Sequence, residues 1–196
     1  MRFPARIALA TTNQGKVAEL RAMLGGDVEI VAADEVVPRW SVVEDGATFE
    51  ANARLKAEDL ARRSGMPALA DDSGLEVVAL GGRPGVRSAR YAGEGATNAA
   101  NVARLLEELR DVPDAARAAA FRCALALVWP DGRVVEASGR CEGTIARAPR
   151  GQSGFGYDPV FVDPATGRTF AELSPEEKNA RSHRRRAIDA LVIALG

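Results

Sequence analysis

The sequence predicts an α/β fold with a mixed β-sheet, and two patterns carry this prediction. Near the N-terminus, residues 6–10 form a short apolar strand pattern, residues 16–24 have helical spacing, and residues 28–32 indicate a second strand. Farther along, two long strand patterns at 119–129 and 133–146 flank a Pro-Asp-Gly turn, which is a strong hairpin signal. The first pattern is typical of α/β units and the second of an antiparallel ribbon, so a mixed sheet is expected.

The middle of the chain predicts further elements of both kinds. Residues 48–63 carry apolar or small side chains at helical spacing, which predicts an amphipathic helix. Strands are predicted at 67–70 and 75–80, separated by an Asp-Asp-Ser-Gly turn at 71–74. A threonine typical of an N-cap predicts a helix over 97–109.

The last part of the chain predicts a strand at 157–162 and one helix from Ser174 to the C-terminus. Ser174 is typical of an N-cap, and Pro175 suits the first helical position. Arg184 falls within the apolar stripe of this helix, with His183 at its edge. A cation on the core side of a helix needs a partner or a ligand, although the side chain could also extend to the surface.

The composition is typical of one soluble globular domain covering residues 1–196. Hydrophobic residues make up 46%, charged residues 27%, and the net charge is -1. This charge gives no basic surface for a nucleic-acid polymer, and no apolar run reaches the roughly 18 residues of a membrane span. Cys123 and Cys141 have no metal-ligand or disulfide-framework spacing. We therefore expect a cytoplasmic protein with free thiols and with neither nucleic acid nor membrane as a partner.

Lysine is rare in this chain. Of the 26 basic residues, only Lys16, Lys56 and Lys178 are lysines. A compact ammonium is preferred over the planar guanidinium where a point charge is needed, as beside a phosphate oxygen. Chance is the alternative for so few residues, so the segments around the lysines decide.

The first lysine ends a polar loop between the first predicted strand and helix. A helix N-terminus favours an anion, and this loop adds hydroxyl, amide and ammonium groups. It lacks the spacing of a Walker A motif, and a capped turn with Asn13 as the N-cap is the alternative. The candidate phosphate-binding residues are Thr11, Thr12, Asn13, Gln14, Gly15 and Lys16.

Carboxylates in two segments are candidates for catalysis and metal binding. Asp71 and Asp72 follow a predicted strand, and Glu44 precedes the helix that carries Asn52 and Lys56 on one face. Carboxylate oxygens suit Mg²⁺, which takes one or two of them together with substrate phosphates. Adjacent strand residues face opposite sides, so both aspartates reach one metal only if the chain bends there. A polar surface turn at the aspartates, and helix-dipole complementation by Glu44 and Asp45, are the alternatives.

A glycine-rich aromatic segment is a candidate for binding a nucleobase. Phe155, Gly156, Tyr157 and Asp158 place rings next to glycine, which allows close approach of a flat ligand. A turn that leads into a core strand is the alternative.

Six motifs in order resemble the inosine/xanthosine triphosphate pyrophosphatases, the Ham1-like or RdgB-like family. Each motif is weak alone, but six in register over nearly the whole chain are highly specific. Thr12 departs from the family, which frequently has glycine there. The motifs are residues 11–16, residues 44–46 with Asn52 and Lys56, residues 70–75, residues 88–93, residues 155–158, and Lys178 with residues 182–184.

This resemblance implies a fold and an activity. The fold would be an elongated mixed sheet flanked by helices, with two lobes around a central cleft, in a homodimer. The activity would be Mg²⁺-dependent hydrolysis of ITP, dITP and XTP to the monophosphate and pyrophosphate.

The resemblance also implies roles for individual residues. Residues 11–16 and Lys56 would hold the phosphates, Glu44 and Asp72 would bind Mg²⁺, and Asp72 would be the general base, with Asp71 as the second candidate. Ser73 would contact the substrate. The nucleobase of the substrate would be surrounded by Phe155, Gly156, Tyr157, Asp158, Lys178, His183 and Arg184.

Base chemistry gives this arrangement a basis for specificity. Hypoxanthine and xanthine have an acceptor oxygen at C6 where adenine has an amino donor, so donors from Lys178, His183 or Arg184 would favour the oxo bases.

Two alternatives stay open: a Maf-like nucleotide pyrophosphatase with another base preference, and a nucleotide-binding module without catalysis. Hydrolysis rates on a panel of nucleotides would distinguish the Maf-like enzyme from this family. The aspartate pair beside a phosphate loop argues against the binding module.

Overall fold

A computed structural model of the chain describes residues 3–26 and 28–196. Strands and helices alternate in its N-terminal half, and a long hairpin follows. The strands are β1 (Arg6–Leu9), β2 (Glu29–Ala32), β3 (Ala68–Val77), β4 (Ala118–Val128), β5 (Val134–Ile145) and β6 (Phe161–Val162). The helices are α1 (Gln14–Leu24), α2 (Ala33–Val36), α3 (Phe49–Ser64), α4 (Asn98–Glu108), α5 (Pro175–Asn179) and α6 (His183–Leu195).

In these residues the strands form one six-stranded sheet in the order β2-β1-β3-β4-β5-β6. Strand β1 is parallel to β2 and to β3, whereas β5 is antiparallel to β6. Strands β4 and β5 are neighbours joined by a tight turn, in which the Gly132 N–H donates to the Trp129 carbonyl at 3.0 Å. The predicted α/β fold with a mixed sheet and a central hairpin is confirmed.

Strand β3 runs without interruption through residues 71–74, so the turn predicted there is wrong. Asp71 is fully buried and Asp72 is 8% exposed. A buried carboxylate inside a sheet requires a compensating partner, and both have one. Asp71 pairs with Lys16 and Arg184, and Asp72 pairs with Lys56. The polar residue types at 71–74 predicted a turn, because the sequence near them does not show that cations from distant segments compensate the buried carboxylates.

The C-terminal segment forms two helices, not the single helix that was predicted. Helix α5 begins at the predicted N-cap, where the Ser174 side chain accepts from the Glu177 N–H. It ends in a tightened turn, because the Arg181 N–H donates to the Lys178 carbonyl three residues earlier. Helix α6 begins directly after Ser182, a residue type favoured before a helix.

Two predicted strands are shorter in the structure, and one short helix was not predicted. The predicted strand at 75–80 is strand only to Val77, because Val78–Leu80 forms a 3₁₀ turn that the Gly81 N–H closes on the Val78 carbonyl at 3.0 Å. The predicted strand at 157–162 is strand only at Phe161–Val162. Its first part is a turn, in which the N–H groups of Val160 and Phe161 both donate to the Tyr157 carbonyl at 3.0 Å. The short helix α2 was not predicted, because four residues are too few for a periodic signal.

The chain folds as two compact units, each with its own apolar core. The first unit comprises residues 1–72, 123–139 and 184–196, and the second comprises residues 73–122 and 140–183. Neither unit is one contiguous segment, and the prediction of a single domain stays a prediction. The first core includes Ile7, Leu9, Leu20, Leu69, Leu125 and Leu191, and the second includes Leu75, Leu105, Phe121, Phe161 and Phe170.

Both cysteines are buried, and neither forms a disulfide within the described residues, as predicted. Among the described residues, the helices are all too short or too polar to cross a membrane.

Candidate active site

The predicted phosphate loop lies between β1 and the N-terminus of α1. The Asn13 side chain is the N-cap of α1 and accepts from the Lys16 N–H at 3.2 Å, and the Thr11 hydroxyl accepts from the Asn13 N–H at 3.1 Å. The side chains of Thr12, Asn13 and Gln14 are exposed. The N-cap interpretation of Asn13 is confirmed. It is compatible with anion binding, since the helix N-terminus stays accessible.

Lys16 and Lys56 meet three carboxylates in the first unit, and we call Lys16, Glu44, Lys56, Asp71 and Asp72 the acid–lysine cluster. The Lys56 ammonium lies 2.9 Å from Glu44 Oε2 and 2.9 Å from Asp72 Oδ1. It also donates to the Asp71 carbonyl at 3.0 Å. The Lys16 ammonium lies 2.6 Å from Asp71 Oδ1. Two lysines and three acids that are distant in sequence therefore share one site.

Helix α3 supplies this cluster from one face. Thr48 caps the helix, and Asn52 and Lys56 follow at a spacing of four residues, which puts them on the same side. Both are buried, and both donate to the Asp72 carboxylate, Lys56 to Oδ1 and Asn52 to Oδ2. The helix thereby fixes both oxygens of a strand residue.

The two aspartates have different partners because they point to opposite faces of β3. Asp71 Oδ2 lies 2.6 Å from Arg184 Nε and accepts from the Cys123 thiol at 3.2 Å. Asp72 faces Lys56 and Asn52 instead. The bend that would direct both carboxylates to one metal is absent from β3, which is continuous in the described structure.

Burial and pairing move the pKa values of the two aspartates in opposite directions. Burial raises the pKa of Asp72, and the nearby Lys56 offsets only part of that effect. Burial would raise the pKa of Asp71 too, but Arg184 and Lys16 outweigh it and hold that pKa well below its usual range. Carboxylates whose pKa values diverge usually serve different roles. Asp71 suits a permanent counter-ion, and Asp72 suits a proton acceptor.

Glu44 and Asp72 have the donor chemistry of a divalent-cation site. Both carboxylates converge on one ammonium, so their oxygens lie within two hydrogen-bond lengths of each other. The Glu44 side chain is 35% exposed, which leaves one side open to solvent. The described residues contain no cluster of three or more acidic, His or Cys side chains for a metal. Two hard oxygen ligands with room for others fit Mg²⁺, which also takes water and phosphate oxygens.

A second cluster in the other unit consists of Phe155, Asp158 and Lys178. Asp158 is 2% exposed, and its Oδ2 forms a short ion pair with the Lys178 ammonium and accepts from the Phe155 N–H at 2.8 Å. The ammonium lies 4.8 Å from the centre of the Phe155 ring, in cation–π geometry. Asp158 therefore holds both an aromatic ring and a hydrogen-bond donor in fixed positions.

Gly154 is required beside this second cluster. Its φ is +76°, and a Cβ at this position would clash with Asp158 Oδ2. Only glycine combines this backbone conformation with the close approach.

Three further residues that the resemblance assigned to the base have contacts within the protein. The Tyr157 hydroxyl is buried and donates to the Ser88 carbonyl at 2.9 Å. The His183 ring stacks on Phe121, with centroids 4.8 Å apart. Arg184 is 1% exposed and pairs with Asp71 and Glu19. The need of Arg184 for a partner is confirmed, while contacts of these three residues with a base stay predictions.

The predicted residues Ser73 and Gly156 lie at half-buried positions in the second unit. Ser73 directly follows Asp72 on β3, and Gly156 lies in the loop between Phe155 and Tyr157 with a φ of +62°. Their predicted contacts with substrate stay predictions.

Sequence reasoning missed the roles of Asn52, Glu19 and Cys123. Asn52 had a usable signal, since it shares a helix face with Lys56. Glu19 and Cys123 had none, because their contacts with Arg184 and Asp71 join segments far apart in the chain.

Comparison with known proteins identifies the family. A model of the Ham1 family matches residues 7–194. A dITP/XTP pyrophosphatase from Geobacillus kaustophilus is 52% identical over 186 residues, which are 94% of this chain and 91% of the relative. A dITP/XTP pyrophosphatase from Mycolicibacterium paratuberculosis is 53% identical over 194 residues, covering 96% of this chain and 95% of the relative. The structure of a HAM1 protein from Coxiella burnetii has a TM-score of 0.87 at 43% identity and covers 98% of both chains. With its fold, its motifs and these relatives in agreement, the chain belongs to the Ham1 family.

Proposed function

We propose that this protein is a nucleoside triphosphate pyrophosphatase that hydrolyses the non-canonical purine nucleotides ITP, dITP and XTP. The products are the nucleoside monophosphate and pyrophosphate. The observation that carries the proposal is the acid–lysine cluster, in which the Lys56 ammonium lies 2.9 Å from each of the Glu44 and Asp72 carboxylates. Relatives named dITP/XTP pyrophosphatase that match at about half of all positions support the substrate class.

The reaction would be attack of water on the α-phosphorus. The water oxygen forms a bond to this phosphorus, and the bond from phosphorus to the oxygen that bridges to the β-phosphorus breaks. Asp72 accepts the water proton as general base, because its raised pKa favours proton uptake more than that of Asp71. Lys16 and Lys56 stabilise the negative charge on the departing pyrophosphate.

We propose Mg²⁺ as the metal, held by Glu44 and Asp72. When bound, the ion would polarise phosphate oxygens and add positive charge beside the leaving group. Asp71 would act indirectly, since its carboxylate pairs with Lys16 and Arg184 and keeps the Lys16 ammonium next to the phosphate loop.

Lys178 would read the base. Its ammonium is a donor that suits the 6-oxo group of hypoxanthine or xanthine and opposes the 6-amino group of adenine. The contact with Asp158 orients the ammonium, and the nearby Phe155 ring offers a stacking surface. His183 and Arg184 stay secondary candidates, because their side chains already contact Phe121 and Asp71.

The Ham1 match favours this function over a Maf-like pyrophosphatase, and the aspartate–lysine chemistry favours it over a binding module. A cytoplasmic homodimer is also part of the proposal. Light scattering of the purified protein tests the dimer, since a mass of 20.7 kDa would instead indicate a monomer.

A substrate panel tests the proposed function. The purified protein is incubated with Mg²⁺ and each of ITP, dITP, XTP, ATP, GTP and dTTP, and pyrophosphate release is measured. Fast release from the first three substrates and slow release from ATP and dTTP is the expected result, and the rate on GTP measures the effect of the 2-amino group, because guanine shares the 6-oxo group. Equal rates on ATP, or a preference for dTTP, would contradict it.

A further inference from the structure

Asn52 is a buried amide whose two ends are both hydrogen-bonded. It is 1% exposed and is the fourth residue of α3. Its Oδ1 accepts from the Gly46 N–H at 2.8 Å, and its Nδ2 donates to Asp72 Oδ2 at 3.2 Å. Asparagine is a poor helix former, so local helix propensity does not account for it.

The Gly46 N–H fixes the orientation of this amide. A backbone N–H can only donate, so the atom that faces it must be the side-chain oxygen. The amide nitrogen then faces the Asp72 carboxylate. In a flipped amide, the Asn52 nitrogen would face the Gly46 N–H, donor against donor, and the Asn52 oxygen would face the Asp72 carboxylate, acceptor against acceptor. The flipped orientation is therefore disfavoured at both ends.

Gly46 must be glycine for this contact to form. A Cβ on residue 46 would lie 2.6 Å from Asn52 Oδ1 and 3.0 Å from the Ala51 Cβ. The close approach also ties the segment that carries Glu44, two residues earlier, to the same amide.

Asn52 and Lys56 each donate to a different oxygen of the Asp72 carboxylate. Lys56 binds Oδ1 as a cation, and Asn52 binds Oδ2 as a neutral donor. A neutral donor can orient a carboxylate without adding a charge that would compete for a metal or a phosphate. The side chain of Asn52 has no need to touch the substrate for this role.

We propose that Asn52 is a positioning residue for Asp72. Its amide holds the carboxylate in the orientation that accepts the proton from the attacking water, and through Gly46 it aligns that carboxylate with the Glu44 segment. This inference rests on the proposed function for its kinetic consequences, but the contact itself can be tested separately.

Asn101 provides a matched control. It is also the fourth residue of a helix, α4, that begins after a threonine N-cap, and it is 3% exposed. Its Oδ1 accepts from the Ala92 N–H at 2.8 Å, and its Nδ2 donates to the Ala89 carbonyl at 3.0 Å. The two asparagines therefore have the same helix position, burial and number of bonds. They differ in that only Asn52 donates to a predicted catalytic carboxylate.

The experiment compares Asn52→Asp with Asn101→Asp. Each substitution is isosteric, keeps the acceptor for the backbone N–H, and removes the donor. We measure kcat and KM for XTP at saturating Mg²⁺, and the urea midpoint of each variant. Both variants are expected to unfold at lower urea. Asn52→Asp should also lose about 10- to 100-fold in kcat with KM changed by less than about threefold, whereas Asn101→Asp should keep kcat within about threefold. Equal losses of kcat in the two variants would overturn the proposal.

A reciprocal double variant separates the contact from the catalysis. Asn52→Asp combined with Asp72→Asn retains one amide and one carboxylate at the contact. We expect its urea midpoint to recover above that of Asn52→Asp, while its kcat stays as low as that of Asp72→Asn. No recovery of the midpoint would contradict the contact, including the case in which Asn52→Asp alone fails to fold. If the wild-type protein released no pyrophosphate from XTP, the proposed function would fail, and the urea midpoints would still decide the Asn52–Asp72 contact.

Discussion

Arg184 and Asp71 form a buried ion pair, in which Arg184 Nε lies 2.6 Å from Asp71 Oδ2. The partners are 113 residues apart in the chain. The other carboxylate oxygen of Asp71 lies 2.6 Å from the Lys16 ammonium. Asp71 is thus occupied by two cations, which leaves Asp72 as the carboxylate suited to proton transfer.

Asp71→Asn should destabilise the protein strongly. The substitution takes the shared carboxylate from Lys16 and leaves Arg184 with Glu19 as its ion-pair partner, so the loss should approach the roughly 3–5 kcal/mol of a broken buried ion pair. The free energy of unfolding in urea measures this loss. Asp189→Asn is the control, because its pair with Arg185 is exposed, and a change of less than about 1 kcal/mol is expected there. Similar losses in both variants would contradict a structural role for Asp71.

Asp72→Asn should fold and lose turnover. The substitution preserves shape, and Lys56 keeps Glu44 and the Asp71 carbonyl as acceptors. Loss of a general base lowers kcat by about 10²- to 10⁴-fold. Steady-state kinetics with XTP measure the effect, and circular dichroism verifies the fold. A variant with more than about a tenth of wild-type kcat would not fit this role.

Lys178→Met should reduce base discrimination. A hydrogen bond to a charged donor contributes about 1.5–3 kcal/mol, so the ratio of kcat/KM for XTP over ATP should fall by about 10- to 100-fold. Lys56→Met is the control, since loss of a phosphate ligand should slow both substrates alike. If Lys178→Met slowed XTP and ATP equally, the ammonium would not read the base.

Gly154→Ala should destabilise the second cluster. The new Cβ would strain a positive φ and clash with Asp158 Oδ2, with a cost above the roughly 1–3 kcal/mol of backbone strain alone. Gly167→Ala is the control, because Gly167 has a φ of +68° but open space where a Cβ would lie. Thermal unfolding measures Tm for both variants. Gly154→Ala introduces both the clash and the backbone strain, whereas Gly167→Ala introduces only the strain. Equal decreases in Tm for the two variants would contradict the prediction, because they would show that the clash with Asp158 adds nothing to the strain.

Much of the fold was predictable from local patterns. The Pro-Asp-Gly turn predicted the β4–β5 hairpin, helical spacing predicted α3, and the Thr97 and Ser174 N-caps located the starts of α4 and α5. The polar sequence at 71–74 predicted a turn wrongly, because its cations come from α1, α3 and α6. The break between α5 and α6 was missed for a different reason, because the apolar stripe continues across it.

The site was predictable as a set of residues but not as a set of partners. Motif resemblance identified Lys16, Lys56, Asp71 and Asp72, yet only the structure separated the two aspartates by their contacts. Arg184 was recognised as a buried cation in need of a partner, but its partners, Asp71 and Glu19, lie on other elements. Contacts between distant segments depend on strand register and helix packing, which local sequence does not encode.

The most direct test of the central claim is hydrolysis of XTP in ¹⁸O-labelled water with Mg²⁺. The products are separated, and mass spectrometry locates the label. Attack of water on the α-phosphorus predicts one ¹⁸O atom in xanthosine monophosphate and unlabelled pyrophosphate. Label in pyrophosphate, or release of orthophosphate from the triphosphate, would contradict the account.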